Sequence, residues 1–331
     1  MNEQKKTLSA VLIGILAALF LSSTFTINSL LAHTGGHWAW TACLRSLFMI
    51  PIMSLPLLMT KKLFPLIAVL IKFPVIFLKW GILGFGGLYT CISLASLYLP
   101  GWLIAAIFQI NILAGMLIAP FIYKDHRKKI PLKALTLSLV IVLGVLVMQL
   151  DRLTHLQSIQ SIYFSFLLIL IGAFAWPLAN RKLLVDLEQK GINLNAMQRV
   201  MGLTVGSTPL LLLLVFYAYV QSGIAPITQI QASLYSAVFS GFLGGVCFYQ
   251  ATQMVKHNPV ALATVEATQV FEILFALVGE MVLINAPMPS KYALLGMLLI
   301  GVAMLVQVLL AIYTSRSFAS SIDGQSNLSK N

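Results

Sequence analysis

Runs of about 20 apolar residues, separated by short polar or Pro/Gly breaks, leave this chain little choice of fold. Each such run crosses the ~30 Å hydrocarbon core of a bilayer as one helix. In lipid every backbone N–H and C=O must be bonded internally, so repeated runs of this length imply a helical bundle. The runs lie near 8–32, 38–59, 75–99, 101–123, 132–150, 161–183, 196–220, 231–254, 259–284 and 291–313. They predict an all-α integral membrane protein with ten transmembrane helices. Composition agrees, since 59% of the 331 residues are hydrophobic and only 9% are charged, with a mean hydropathy of +0.94. A soluble domain carries about 25% charged residues. The first run exceeds the ~7–15 residues of a signal-peptide core, so it is a membrane helix. That leaves 1–7 as a short N-terminal tail, and the Ser- and Asn-rich stretch 314–331 as a disordered one.

The net charge of +12 does not point to nucleic acid, because the cations fall in short clusters between the apolar runs. Of the 21 Lys and Arg, only Arg152 and Lys291 fall in the segments facing outward if the N-terminus is cytoplasmic. Arg45 lies inside a span, and every other Lys and Arg falls on the inner side. Cytoplasmic loops carry this excess of cations, which predicts that both termini are cytoplasmic.

Self-similarity organises the chain further. The run GFGGLY at Gly84 recurs as GFLGGV at Gly241. At that offset Gly144 meets Gly301 and Gln109 meets Glu266, and at nearly the same offset TACLRS around Arg45 meets NAMQRV around Arg199. Two five-helix halves, 8–150 and 151–313, are therefore expected. Five is odd, so the second half enters the membrane from the opposite face, and inverted repeats of this kind place a substrate site at their interface. Gly84, Gly87, Gly241 and Gly244 are expected to flatten helix faces, either for static packing or for sliding.

Three acids, Glu266, Glu272 and Glu280, share the ninth run with Gln269. A charge at bilayer depth costs about 2.5–3.5 kcal/mol on insertion scales, so this face must look into protein or water. On a helix Glu266, Gln269 and Glu280 lie within about 60° of one another. Glu280, near the outer end, reads as an anchor or a partner of Lys291. Glu266 and Glu272 are deeper, and burial makes a carboxylate able to exchange a proton near neutral pH or to hold a cation. The bland alternative is a static pair with Arg45 or Arg199. Arg45, Gln109, Asn111, Gln269, Asn28 and Asn180 are the remaining candidates for a polar cavity. No GxxxxGK[ST], HExxH, GxSxG or paired-Cys motif occurs, so neither an enzyme nor an ATP-driven pump is expected, and no cofactor or metal.

The run VEATQVFEILFALVGE, with WPLANRKLL and NAMQRVMGLT, resembles the multidrug-resistance efflux transporter family of the drug/metabolite transporter superfamily, over about residues 8–313. The resemblance implies a ten-helix fold with a central cavity, alternating access and a bacterial inner-membrane location. Small multidrug exporters of that superfamily carry their essential glutamate in the first helix, whereas this first run holds only Asn28 and the sixth only Asn180. Any coupling carboxylate must then come from the ninth helix. The expected function is proton-coupled export of small organic molecules by a monomer or homodimer, with protons or another ion and the bilayer as its other partners. A non-transporting membrane subunit or a lipid-handling intramembrane protein is the alternative.

Overall fold

The computed structural model describes residues 3–130, 132–150, 159–256 and 258–328. Arg152 and the expected junction of the two halves at 150/151 fall at or within a stretch outside the described residues. Everything described is helix or short connection. The helices are α1 (Glu3–His33), α2 (Trp38–Met59), α3 (Leu63–Lys72), α4 (Pro74–Ala95), α5 (Gly101–Ile122), α6 (Leu132–Met148), α7 (Ile159–Gln189), α8 (Ala196–Ser222), α9 (Ile227–Val255), α10 (Pro259–Ala267), α11 (Phe271–Leu283) and α12 (Lys291–Leu328). Among the described residues seven are long and apolar enough to cross a bilayer: α1, α2, α4, α5, α7, α8 and α9. The apolar part of α6 and that of α12 are shorter, and the ninth run is split into α10 and α11 by a 3₁₀ turn at Thr268–Val270.

Several boundaries differ from the sequence reading. Helix α3 lies where only a connection was expected. It is about 15 Å long at 1.5 Å per residue, too short to span, and buries only Leu66. Helix α7 runs to Gln189, beyond the expected end at 183, because Leu183 and Leu187 continue its apolar stripe and are buried. Asp186 on this extension accepts a 2.7 Å hydrogen bond from the Trp80 indole. Gly191, at φ +66°, then ends the helix with Ile192 N–H bonded to Leu187 C=O. Helix α12 continues from its apolar part through Leu328.

Helix α1 sits centrally, packed on α9 and α11; α8 packs on α2 and α4, α7 on α4 and α5, and α12 on α6. Apolar side chains such as Leu12, Phe216, Val220 and Leu298 point outward, as lipid-facing residues do. Helices α4 and α9 each contain a π-helical segment, Ile82–Gly87 and Ala237–Gly244, and these hold the recurring glycine runs. Gly84 faces Ala179 of α7, Gly241 faces Met49 of α2, and Gly244 faces Leu21 of α1. Gly87 faces only the Ile82 carbonyl of its own helix. The wider π turn rotates it away from the Gly84 face, so i, i+3 spacing no longer implies a shared contact.

Glu280 is fully buried and, among the described residues, makes no ion pair with Lys291. Its carboxylate accepts hydrogen bonds from the backbone N–H groups of Gly101 (2.7 Å) and Trp102 (3.3 Å). It thus caps the start of α5, where the orphan N–H groups and the helix dipole favour an anion by about 0.3–2 kcal/mol. Gln229 makes a similar tie at the same end of the bundle. Its amide bonds the His37 backbone N–H and C=O and the Thr41 hydroxyl, joining the start of α9 to the start of α2.

Candidate functional site

Two helix breaks meet in the middle of the bundle. Helix α5 kinks at Gln109 and the ninth run breaks at Thr268–Val270. A break frees backbone groups that lipid cannot satisfy. Here the Gln109 side-chain amide donates to the backbone carbonyls of Ala105 (3.1 Å) and Gln269 (3.0 Å). Asn111 donates to the Gln269 side-chain carbonyl at 3.4 Å. The structure therefore brings Gln109, Asn111 and Gln269 together as one polar cluster.

Two cavities adjoin this cluster and share Trp176 and Gln269 in their walls. The larger, about 100 Å³, runs from Asn111, Asn180 and Gln269 down to Arg127, Lys129, Glu188 and Lys256 at the helix ends. The smaller, about 40 Å³, lies on the other side of Trp176 and Gln269 and is lined by Thr24, Arg45, Tyr89, Ser240 and Glu272, among others. The π segments bring Phe85 and Ser240 to it.

The two deep glutamates have different surroundings. Glu266 lies in the larger cavity, where both carboxylate oxygens accept from Nη2 of Arg181 at 3.1 Å. Its partner is neither Arg45 nor Arg199. Sequence reasoning missed Arg181 because the sixth span was ended at 183, leaving it at the inner edge of the span. The stripe Leu183, Leu184 and Leu187 was the available signal. Glu272 is 1% exposed; among the described residues it makes no ion pair and its Oε1 has no hydrogen-bond partner.

Arg45 faces the same small cavity as Glu272. Its guanidinium stacks 3.7 Å from the centroid of the Tyr89 ring and donates to Ser240 Oγ at 2.9 Å. Nε and Nη1 have no partner. The Ser240 hydroxyl also bonds Thr24, which bonds the Tyr89 hydroxyl at 2.9 Å. Cation–π contact offsets about 2 kcal/mol for a desolvated cation, well short of the cost of burying a charge without a counter-ion.

Asn180 lines the larger cavity and accepts from the Tyr249 hydroxyl. Asn28 does not reach either cavity; it is buried and donates to Ser93 Oγ at 3.3 Å. At the mouth, Arg127 pairs with Asp125 (2.7 Å) and Glu188 (2.9 Å). The Asp125 carboxylate, then Glu188, push its already high pKa higher still, so its charge is permanent. Among the described residues no group of His, Cys, Asp and Glu could hold a metal.

The EmrE family model, described as "Putative multidrug resistance efflux transporter", matches residues 8–312. A protein of Bacillus subtilis (strain 168), "Uncharacterized protein YjlA", is 39% identical over 308 residues, covering 90% of this chain and 94% of its own length. A second relative, from Shouchella clausii, is described as "Uncharacterized 42.1 kDa protein in intracellular alkaline protease 3'region". It is 33% identical over 268 residues, covering 79% of this chain and 69% of its own. One crystal structure superposes with a TM-score of 0.62 over 92% of this chain and 97% of its own, at 16% identity, which extends the likeness to the fold alone. The chain therefore belongs to the EmrE family of multidrug resistance efflux transporters, within the drug/metabolite transporter superfamily, and is a multi-pass plasma-membrane protein.

Proposed function

We propose that this chain is a secondary active exporter of small organic molecules that works by alternating access, with Glu272 as the proton-exchanging carboxylate. The observation carrying this reading is the pair of cavities that meet at Trp176 and Gln269 beneath two facing helix breaks. One opens among charged helix ends, and the other encloses Arg45 and Glu272, which have no counter-ion among the described residues. Discontinuous helices at a repeat interface are where transporters bind substrate. The matching π segments in α4 and α9 support two inverted five-helix halves.

With both termini cytoplasmic, the larger cavity faces the cytoplasm. The ties made by Glu280 and Gln229 then close the outer end. This is an inward-facing arrangement. Opening the outer end would require those ties to part and would admit water to Arg45 and Glu272. A neutral, protonated carboxylate suits the closed cavity, and an ionised one suits a water-filled cavity, because an unpaired buried charge is expensive. Proton exchange at Glu272 would in this way be linked to which side is open. Glu266, neutralised by Arg181, is less suited to that role.

Orientation is checked by single cysteines. Labelling at Gly223 is expected only from outside and at Lys128 only from the cytoplasm, and the reverse pattern would invalidate the assigned direction. Coupling is checked with Glu272→Gln in proteoliposomes, using a panel of organic cations, zwitterions and anions with and without a proton gradient. The variant should fold and exchange substrate, yet lose gradient-driven accumulation by about tenfold or more, with residual exchange insensitive to pH. Wild-type pH dependence in Glu272→Gln would remove Glu272 from the mechanism.

A further inference from the structure

The cations and carboxylates of the larger cavity do not balance. Arg127, Lys129, Arg181, Arg199 and Lys256 line it, against Glu188 and Glu266 alone. Both carboxylates are already engaged, Glu188 by Arg127 and Glu266 by Arg181. Arg199 is the deepest of the cations left over, at 2% exposed. Among the described residues it makes no ion pair, and its Nε has no hydrogen-bond partner. Its interactions are a long 3.4 Å bond to the Tyr249 carbonyl and a ring contact 5.0 Å from the Tyr249 centroid. It also sits in the first turns of α8, where the helix dipole disfavours a cation.

A planar guanidinium held this way, with Nε unpartnered, Nη2 on one long bond and no anion among the described residues to meet it, is built to receive an oxyanion. Beside it Trp176, Phe248 and Tyr249 form an aromatic wall, with ring centroids 5.9 to 6.2 Å apart. We infer that the substrate is an organic anion, with a carboxylate or phosphate bound at Arg199 and an apolar or aromatic body against Trp176 and Phe248. The helix-nine acids taken alone would instead suit a cation. Lys129 and Lys256, nearer the mouth, would draw such an anion inward from the cytoplasm.

This assignment builds on the transport reading but is tested separately, by equilibrium binding to the purified full chain. The probes are indole-3-acetate, phenyl phosphate and the cation tryptamine. At least one anion should bind, weakening as salt rises, while tryptamine should not compete. Tighter binding of phenyl phosphate would identify the oxyanion as phosphate, and tighter binding of indole-3-acetate as carboxylate. Arg199→Met should cost about tenfold or more in anion affinity, the loss expected for one charge-assisted hydrogen bond. Arg199→Lys should fall between the two. A wild-type protein that binds tryptamine in preference to both anions, or binds neither anion, overturns the inference, and that comparison decides the matter even if Arg199→Met does not fold. Unchanged anion affinity in a folded Arg199→Met also overturns it. Anion binding without any transport would instead sink the exporter reading and leave the site standing.

Discussion

Gly206→Leu is expected to leave almost no folded protein, and Gly206→Ala only a small fraction of the wild-type yield. Where α8 crosses α4, a side chain at Gly206 would point directly at the Phe77 carbonyl and approach Leu78 N at 3.1 Å. The contact is reciprocal, because a side chain at Gly81 would meet Leu203 O at 2.5 Å and Ser207 N at 2.8 Å. These neighbours are backbone, so no rotamer change relieves the clash and the two helices must separate. Ordinary overpacking of a core costs about 1–3 kcal/mol, and parting two helices costs more, since the flanking contacts are lost together. Gly301→Ala is the matched control for Gly206→Ala, because nothing lies within 4 Å of a Cβ placed at Gly301. Yield and monodispersity by size-exclusion chromatography, with the melting temperature, report the result. Wild-type yield for Gly206→Ala would mean that α4 and α8 do not cross as closely as described.

Breaking the Arg181–Glu266 pair should destabilise the protein by about 2–3 kcal/mol, less than the roughly 3–5 kcal/mol of a fully buried pair. The reduction reflects cavity access, since the two side chains keep 11% and 17% of their exposure. The site is built for the pair: Gly115 of α5 leaves the space the guanidinium occupies, and a side chain there would approach Arg181 Nη2 at 2.9 Å. Arg181→Met strands Glu266, and Glu266→Gln strands Arg181, so each single variant should melt earlier. The double variant should recover much of the loss, because neither partner is then left charged and alone. Thermal melts of the four proteins give the coupling directly. The transport assay adds a separate decision. Glu266→Gln should keep the pH dependence of transport, whereas its disappearance would return the coupling role to Glu266.

The helical membrane class, the family and the polar composition of the ninth run were legible in the sequence. Hydropathy over 20 residues is a local property, and a bilayer imposes the same requirement on every segment that crosses it. Facing directions within one helix were partly legible too, from a fixed 100° per residue. That regularity failed wherever the helix itself changed. The π segment separated Gly87 from Gly84, and the 3₁₀ turn at Thr268–Val270 broke the register between Glu266 and Glu272. Only the tertiary structure decided which charges meet. Glu266 found Arg181, Glu280 found the start of α5, and Arg45, Glu272 and Arg199 have no counter-ion among the described residues. An ion pair joining residues 85 positions apart depends on the relative depth and rotation of two helices, and backbone packing at contacts such as Gly81 with Gly206 sets both.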